Sequence, residues 1–439
     1  MNAIMAGINR RLNSPTGFRV LLLSIFILTA VVFSAVPLLH YFRGRSIMDY
    51  KLWYDTGRHV LAGNEIFFLR SGKYDFMYPP TCALFLAGAS LFGQAGLIVL
   101  LVAINSAAWF YSIRLAAILA DGQSRLRSAL LYLIPSLLLI VYVWSNYHLG
   151  QPHLVLLALM LGAFAALRAK RETCAGALIA IAAAVKAFPA MAIIYLVYRR
   201  YWKAAASFVV TLAFLLLILP APFRGFERAW RDLEKWRVGM LKYDATGVAQ
   251  RPMRSHSWKN QSLVGVGNRL LRHIDTDPAP APHTPIYANF VDLKFATVNA
   301  IIIGVGLALG ILFVAAIPRR GMRTPESDAI EFALLILLIL ITTPLSFGYF
   351  FSWLLLPFAV ITQRVIDGKG STLLWWSLPA LGLLALALLL PQGAQTYGNT
   401  FFGTLLLFIG LAIELLRYKR KGRQLQSAAN PASTSLPIR

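Results

Sequence analysis

The sequence predicts an all-α polytopic membrane protein. Of its 439 residues, 58% are hydrophobic and only 14% are charged, against roughly 25% charged residues in ordinary soluble domains. Apolar runs long enough to span a membrane, which takes about 20 helical residues, recur along the whole chain. Composition and the spacing of these runs therefore exclude a soluble globular fold.

Basic residues cluster at the ends of the apolar runs. A net charge of +24 could suggest nucleic acid, but in a membrane protein the position of the charges matters more than their sum. We expect no nucleic-acid partner; the positive-inside rule instead places all five clusters in the cytoplasm, against membrane lipids. The clusters are Arg10, Arg11 and Arg19; Arg168, Lys170 and Arg171; Arg199, Arg200 and Lys203; Arg319, Arg320 and Arg323; and Arg417, Lys419, Arg420 and Lys421.

Fixing these clusters inside the cell predicts the path of the chain. A cytoplasmic N-terminus (1–18) precedes a transmembrane domain (19–416), and a basic tail (417–439) is predicted to be cytoplasmic and disordered. The predicted spans lie near 19–38, 128–144, 152–167, 204–220, 295–317, 328–344, 351–364, 371–391 and 400–416. Residues 79–120 read as a broken helix or a helix plus a re-entrant piece. Residues 174–198 read as a hairpin of half-helices, because basic clusters flank both ends and Lys186 and Pro189 interrupt the middle.

Every polar feature between the spans then falls on the outer face of a cell membrane. These features are the first outer loop (39–78), residues 145–151, the apex at Lys186, the large outer loop (221–294) and residues 344–350. The sequence therefore predicts a site on the extracytoplasmic face. Basic, aromatic and amide side chains suit a ligand that carries phosphate and sugar.

Two charged residues are the strongest candidates. Asp49 lies about ten residues beyond the first span, where a carboxylate could accept a proton from an attacking hydroxyl; alternatively, it caps a short surface helix. Lys186 lies inside an apolar block, where a lysine costs about 2.5 to 3.5 kcal/mol. It either meets a lipid phosphate or extends to the interface.

The remaining candidates come from two polar stretches. In "SNYHLGQPH", His148 and Gln151 either line a site or form a turn between two spans. In "RPMRSHSWKNQSL" of the large outer loop, the alternatives are a ligand site and a solvated loop. The residues concerned there are Arg251, Arg254, His256, Trp258, Lys259, Asn260 and Gln261. No metal-ligand spacing, nucleotide loop or serine-nucleophile motif is present in the sequence, so no metal or cofactor is expected.

Several short motifs, in order along most of the chain, resemble glycosyltransferase family 87. The family contains polyprenol-phosphate-mannose-dependent alpha-1,2-mannosyltransferases of the GT-C type. The motifs are Asp49-Tyr50 through Tyr54, Gly63 and "YPP" from Tyr78, "GQ" at 150 and 151, "AGALIAIAAAVKAFP" at 175–189, "NQS" at 260–262 and "PLS" at 344–346.

The resemblance implies a fold of ten to twelve transmembrane helices, with short helices in the first outer loop. It implies that Asp49 is the catalytic base for an inverting attack on the anomeric carbon of a polyprenyl-phosphate sugar. Lys186 and the arginines of 251–254 would hold the phosphate. The stretch that contains Tyr50, Tyr54 and Tyr78 would form the platform for donor and acceptor, the latter a lipid or a glycan.

The sequence departs from the family pattern after "PLS". Family members often carry a tryptophan and a histidine there, whereas this chain has Tyr349 about where that histidine would be. A phenol with an ordinary pKa near 10 is a poor base at neutral pH. The chain then depends on Asp49 alone, uses His256, has a changed acceptor or is inactive.

Two other functions share these features. A flippase or transporter of a lipid-linked sugar would need the basic outer cavity but no carboxylate base. A lipid-linked glycan ligase or polymerase would differ in its oligosaccharide diphosphate donor. Inverted repeats would favour a transporter, and the sequence shows no clear one.

Overall fold

The computed structural model of the chain is almost entirely helical. It describes residues 15–67, 69, 70, 73, 74, 76–122, 128–241, 255–277 and 283–429. Its helices are α1 (Pro15–Phe42), α2 (Asp49–Leu61), α3 (Pro80–Ser90), α4 (Gly93–Asp121), α5 (Ala129–Leu138), α6 (Ile140–Leu149), α7 (His153–Arg168), α8 (Glu172–Val185), α9 (Ala192–Tyr198), α10 (Trp202–Ala213), α11 (Ala221–Arg224), α12 (Phe226–Leu241), α13 (Leu263–Leu271), α14 (Phe295–Ala316), α15 (Pro325–Thr342), α16 (Leu355–Ile366), α17 (Ser371–Leu389), α18 (Pro391–Thr396) and α19 (Asn399–Ala429). Short 3₁₀ turns (Phe188–Met191, Arg320–Met322 and Gly348–Leu354), a π turn (Phe214–Ile218) and a pair of two-residue strands, β1 (Leu69–Arg70) and β2 (Lys73–Tyr74), complete the described elements.

The predicted all-α membrane architecture is confirmed. Within the described ranges, seven helices are long and apolar enough to cross a membrane, or eight if α5 and α6, bent by 57°, form one span. Four shorter apolar helices accompany them: Pro80–Ser90, His153–Arg168, Glu172–Val185 and Phe188–Tyr198. The total of ten to twelve transmembrane helices that the family resemblance implies stays a prediction.

Both irregular regions are as expected. Residues 80–121 form the short α3 followed by the long α4. Helix α8 ends at Val185, Lys186 is extended, and a 3₁₀ turn leads into α9. The Ser207 hydroxyl of α10 donates to the Thr173 carbonyl oxygen of α8 (2.8 Å). The N-terminal ends of these two helices therefore lie side by side. Residues 188–198 must therefore bring the chain back, which makes a hairpin with Lys186 at its apex.

The basic clusters that the structure describes meet at one end of the bundle. Arg168 donates to the Pro325 carbonyl oxygen (2.9 Å), Arg199 to Pro318 (2.8 Å) and Lys419 to Ala315 (2.7 Å). Arg199 is also buried against Glu331, which accepts a further hydrogen bond from Tyr195 (2.6 Å). We refer to this end as the basic end. Arg10 and Arg11 lie outside the described residues.

The two outer loops meet at the opposite end. Lys235 of α12 forms an ion pair with Glu65 (2.8 Å), and Trp236 donates to the Met77 carbonyl oxygen (3.3 Å). The second half of the large loop contacts residues 344–346, because the Gln261 backbone N–H donates to the Ser346 carbonyl oxygen (2.7 Å). The polar segments expected on one face therefore converge in space.

The predicted disordered tail needs correction at its boundary. Helix α19 does not end at 416 but continues to Ala429. Packing explains the extension: the hydroxyls of Tyr418 and Thr324 lie 2.8 Å apart, and Lys419 binds the end of α14. Gly422 lies against the Met322 side chain, whose terminal methyl would be 2.7 Å from a Cβ atom at this position. Residues 430–439 lie outside the described residues.

Candidate functional site

Asp49 lies in the first turn of α2 and faces a neighbouring segment. The residue before it, Met48, has φ 50°, a left-handed conformation that costs a non-glycine residue roughly 1 to 3 kcal/mol and is concentrated at functional sites. The N-cap position of α2 is held by Met48, which makes no side-chain capping hydrogen bond, and Asp49 is the first residue of the helix. The Asp49 carboxylate accepts a hydrogen bond from the Gln151 side-chain amide.

Gln151 follows a turn that α2 holds tightly. Gly150 follows the last residue of α6 and has φ 71°, a backbone conformation that favours glycine. A Cβ atom at this position would lie 3.1 Å from the Tyr50 ring, so the close packing also favours glycine. The Tyr50 hydroxyl donates to the Tyr147 carbonyl oxygen, and the Trp53 indole to that of Gly150, each at 2.8 Å. Tyr50 is buried and supports the Asp49–Gln151 contact, rather than presenting its hydroxyl to a ligand.

Lys186 extends from its apex into a group of polar side chains. Its Nζ lies 3.4 Å from the Tyr78 hydroxyl, 3.5 Å from Gln151 Oε1 and 3.3 Å from His153 Nε2. The Tyr78 hydroxyl also donates to Gln151 Oε1 (3.0 Å). Gln151 thus joins the Asp49 carboxylate to the Lys186 ammonium. We call Asp49, Tyr78, Gln151, His153 and Lys186 the polar cluster.

Aromatic rings enclose the Lys186 ammonium. Its Nζ lies 5.0, 5.4 and 4.9 Å from the ring centroids of Tyr78, Tyr349 and Phe350, within the range of cation–π attraction. These contacts stabilise a charge at membrane depth, and the side chain does not need to extend to the interface. Tyr349 therefore contributes its ring to the site.

Tyr78 remains a hydrogen-bond donor. Burial, followed by the nearby Tyr349 and Asp49, raises the pKa of the Tyr78 hydroxyl well above its ordinary range. A neutral phenol can donate to Gln151 at any physiological pH. This hydrogen bond orients the Gln151 amide, whose nitrogen then points at Asp49.

An apolar cavity of about 260 Å³ adjoins the polar cluster. The cavity wall includes one member of the polar cluster, Tyr78, and two residues that directly precede members of it in the chain, Gly150 and Val185. The rest of its lining is almost wholly hydrophobic: Trp53, Thr81, Cys82, Phe85, Leu86, Leu101, Ile104, Asn105, Pro152, Val155, Ile181, Ala184 and Leu215. A hydrocarbon chain could enter this cavity and bring a polar head to Lys186.

Two other candidates from the first half of the chain lie apart from these contacts. The Tyr54 side chain packs against the hydrophobic core. The His148 ring stacks on Trp144 at 5.7 Å and lies edge-on to His40 at 6.1 Å. The turn interpretation fits His148, whereas Gln151 belongs to the polar cluster.

The large-loop candidates belong mainly to the framework that joins this loop to residues 344–346. Both Asn260 amide atoms are engaged: Nδ2 donates to the Ser255 and Pro344 carbonyl oxygens, and Oδ1 accepts from two backbone N–H groups. Gln261 Nε2 donates to the Trp258 and Gln395 carbonyl oxygens. These buried amides fix the loop onto residues 344–346 and do not reach the polar cluster.

The other members of this stretch have separate surroundings. Lys259 Nζ lies 5.1 Å from the Trp258 ring centroid. Burial, followed by the charges of Arg272 and Arg269, lowers the pKa of His256 from 6.5 to about 4. His153, not considered in the sequence analysis, places its Nε2 atom 3.3 Å from Lys186 Nζ, and the use of His256 in place of the family histidine stays a prediction. Arg251 and Arg254 lie outside the described residues.

Sequence reasoning missed His153 and Arg269. His153 opens α7 and is fully buried, with its ring 4.6 Å from Tyr349 and 4.1 Å from Phe350. A polar residue at the start of an apolar helix, in the same "GQPH" motif as Gln151, was the available signal. Arg269 is also fully buried, and its guanidinium donates to four carbonyl oxygens, those of Ser257, Asn260, Gln395 and Thr396. Only tertiary contacts identify it.

The arrangement suits transfer of a group from a phosphate to a hydroxyl. A carboxylate can take the proton of an attacking hydroxyl, and an ammonium can stabilise a phosphate that leaves. Among the described residues, no three His, Cys, Asp or Glu side chains form a group that could hold a metal ion.

Three comparisons show which known proteins the chain is similar to. The model of glycosyltransferase family 87 matches residues 76–344, more than half of the chain. A polyprenol-phosphate-mannose-dependent alpha-(1-2)-phosphatidylinositol mannoside mannosyltransferase from Mycolicibacterium smegmatis is 24% identical over 378 residues, covering 80% of this chain and 76% of that protein. Among solved structures, ArnT from Cupriavidus metallidurans bound to undecaprenyl phosphate gives a TM-score of 0.44 at 16% identity, covering 97% of this chain and 82% of ArnT.

Proposed function

Since the chain belongs to glycosyltransferase family 87, we propose that it transfers a single mannose from a polyprenyl-phosphate donor to a lipid or glycan acceptor. The reaction takes place on the extracytoplasmic face of the cell membrane and inverts the anomeric carbon. The observation that carries the proposal is the polar cluster, in which Gln151 joins Asp49 to Lys186 beside an apolar cavity.

The apolar wall of the cavity supports a lipid donor. A polyprenyl chain lies against its hydrophobic wall, and the phosphate at the end of the chain meets the Lys186 ammonium. Mannose is the proposed sugar because the Mycolicibacterium relative is named as a polyprenol-phosphate-mannose-dependent mannosyltransferase. The cluster also fits a GT-C-type enzyme, in which a carboxylate of the first outer loop is the base.

The proposed reaction is a single displacement. Asp49 takes the proton of the acceptor hydroxyl, and the oxygen attacks the anomeric carbon from the face opposite the phosphate. The bond between that carbon and the phosphate oxygen breaks, and its electron pair leaves with the polyprenyl phosphate. Lys186 stabilises the charge that develops there, and Asp49 carries the proton until it passes to solvent.

The extracytoplasmic location is supported by the distribution of charge. The basic clusters that the structure describes meet at the end opposite the polar cluster, and the positive-inside rule assigns basic ends to the cytoplasm. A flippase or transporter would not need the Asp49 carboxylate, which the fold holds against Gln151 through Tyr50 and Trp53. A ligase or polymerase of lipid-linked glycans would use the same cluster with a diphosphate donor.

Radiolabelled transfer tests the proposal. Purified protein in lipid vesicles receives polyprenyl-phosphate-mannose and a lipid and glycan extract of the host. We expect labelled product with the wild type and with Asp55→Asn, and none with Asp49→Asn. Asp55 is the matched control because it lies on α2 but is exposed and paired with Lys51.

Each other outcome identifies a different function. Full activity in Asp49→Asn removes Asp49 from the chemistry. Movement of the intact donor across the vesicle membrane, without transfer, indicates a flippase. Transfer only from an oligosaccharide diphosphate donor indicates a ligase or polymerase.

A further inference from the structure

A second cavity, of about 490 Å³, lies at the basic end of the bundle. Its wall comes from the end of α9, the segment 317–320 after α14 and one residue of α19. The described lining contains five cations and no acidic residue: Arg199, Arg200, Arg319, Arg320 and Lys419. We call this cavity the basic pocket.

Three of the five cations hold the walls together. Arg199 is buried and paired with Glu331. Arg320 donates to the Arg200 carbonyl oxygen (3.0 Å) and also to that of Arg199, so it ties two segments into one rim. Lys419 donates to the Ala315 carbonyl oxygen (2.7 Å). The pocket is therefore fixed by hydrogen bonds between distant parts of the chain.

The other two cations supply exposed charge at the mouth. Arg200 and Arg319 are both exposed. Arg200 has φ 56°, and a non-glycine residue in this region costs roughly 1 to 3 kcal/mol and is found where structure serves a site. Like charges gathered around one cavity repel each other, and an anion inside it would relieve that repulsion.

The pocket opens at the depth of the lipid headgroups. Tyr198, which lines it, is 49% exposed, and Trp202 four residues further on is 59% exposed. Tyrosine and tryptophan side chains are enriched at the boundary between membrane and water. Below this level the surface is apolar, with exposed Ile194 and, on the pocket wall, Val314. A molecule with a phosphate head group and acyl chains would place the head group in the basic pocket and the acyl chains against the apolar surface.

We propose that the basic pocket binds the phosphate group of an anionic phospholipid. The phosphate lies between Arg200 and Arg319, with Arg320 and Lys419 adding positive potential, and the acyl chains follow the apolar surface beside Val314. Phosphate suits a guanidinium because the guanidinium donates two parallel hydrogen bonds and two phosphate oxygens accept them.

This site is separate from the proposed transfer reaction. Helix α8 starts at the basic end, and its 14 residues place Lys186 about 20 Å away along the helix axis. Lipid binding here can therefore be measured without donor, acceptor or turnover.

The test uses the full-length protein in neutral detergent and short-chain phosphatidylglycerol as the probe, with binding measured by native mass spectrometry and by titration. The pocket variant is Arg200→Gln with Arg319→Gln. The control is Arg417→Gln with Arg420→Gln, which removes two exposed charges that lie near Lys419 in the chain but do not line the pocket. A third variant, Arg200→Lys with Arg319→Lys, retains the charge.

We expect the pocket variant to lose about tenfold or more in affinity for phosphatidylglycerol, because each basic residue near an anionic lipid contributes about 1 kcal/mol. The control and the lysine variant retain binding, the latter more weakly, and zwitterionic phosphatidylcholine of the same length, which has no net charge, binds all variants equally. Equal binding of phosphatidylglycerol by the pocket variant and the control overturns the proposal.

Inorganic pyrophosphate is the second probe. If it competes with phosphatidylglycerol only at millimolar concentrations, the lipid is the ligand. If it binds the wild type more tightly than the lipid does, and the pocket variant abolishes this, then the ligand is a soluble phosphate compound and the lipid assignment is wrong. Identical elution profiles and melting temperatures in detergent verify that all variants are folded.

Discussion

Replacement of Lys186 by methionine tests whether its ammonium recognises phosphate. In the structure its Nζ is held by hydrogen bonds from 3.3 to 3.5 Å with His153, Tyr78 and Gln151 and by three aromatic rings. Methionine has a similar length and packs well against aromatic rings, so the variant removes the charge with little change in volume. A hydrogen bond to a charged group contributes roughly 1.5 to 3 kcal/mol, which corresponds to about 10 to 150-fold in affinity.

The assay compares two ligands that differ only in the phosphate. Equilibrium titration in detergent measures the dissociation constants of a short-chain polyprenyl phosphate and of the matching polyprenol. We expect the wild type to prefer the phosphate, and Lys186→Met to lose that preference while it still binds the polyprenol. Lys203→Met is the control, since this exposed lysine lies at the basic end. An unchanged preference for phosphate in Lys186→Met would refute the assigned role.

Three further predictions concern the supports of the site. Gln151→Leu removes the hydrogen bond to Asp49, so we expect kcat for mannose transfer to fall about tenfold or more, with little change in melting temperature; unchanged kcat would contradict it. Arg269→Met removes the hydrogen bonds of a buried guanidinium to four carbonyl oxygens, of which those of Ser257 and Gln395 retain another donor. We expect the free energy of unfolding to fall by roughly 2 to 5 kcal/mol; denaturant titration measures this loss, and a loss below 1 kcal/mol contradicts it. The pKa of His256 is lowered from 6.5 to about 4, so the unfolded chain binds more protons between these values and stability should decrease as pH falls from 6.5 to 4, by at most about 1.4 kcal/mol per pH unit from this residue. A plot of melting temperature against pH over that range should have a smaller slope for His256→Asn than for the wild type. Equal slopes for the two proteins would exclude His256 as the cause.

Hydrophobic spacing and charge position predicted most of the fold. The apolar runs predicted the membrane-spanning helices. The basic residues at the ends of these runs predicted which helix ends lie together, and the contacts of Arg168, Arg199 and Lys419 agree with this. The hairpin around Lys186 was predictable because a lysine and a proline interrupt one apolar block. The continuation of α19 beyond 416 was not, since its support comes from Tyr418 and Lys419 packing on distant helices.

The sequence identified a candidate site residue where its side chain is energetically unfavourable among its neighbours. Lys186 stands out in the sequence because a charge among apolar residues requires a reason, and the same logic applies to His153. Two polar residues of the large loop make backbone contacts that the sequence did not predict. Asn260 and Gln261 have the chemistry of sugar-binding residues, yet their amides hold backbone carbonyl oxygens. Composition cannot tell an amide that binds a ligand from one that binds the chain's own backbone.

The surroundings of Lys186 also explain why a lysine at this place can assist the departure of a phosphate. Hydrogen bonds with Tyr78, Gln151 and His153 hold the ammonium in position. Lys186 also directly follows the C-terminal end of α8, where the helix dipole favours a cation. In the proposed reaction the phosphodiester donor carries one negative charge and the departing phosphate gains another. Lys186 therefore binds the leaving group more strongly than the donor, which is the difference that accelerates a reaction.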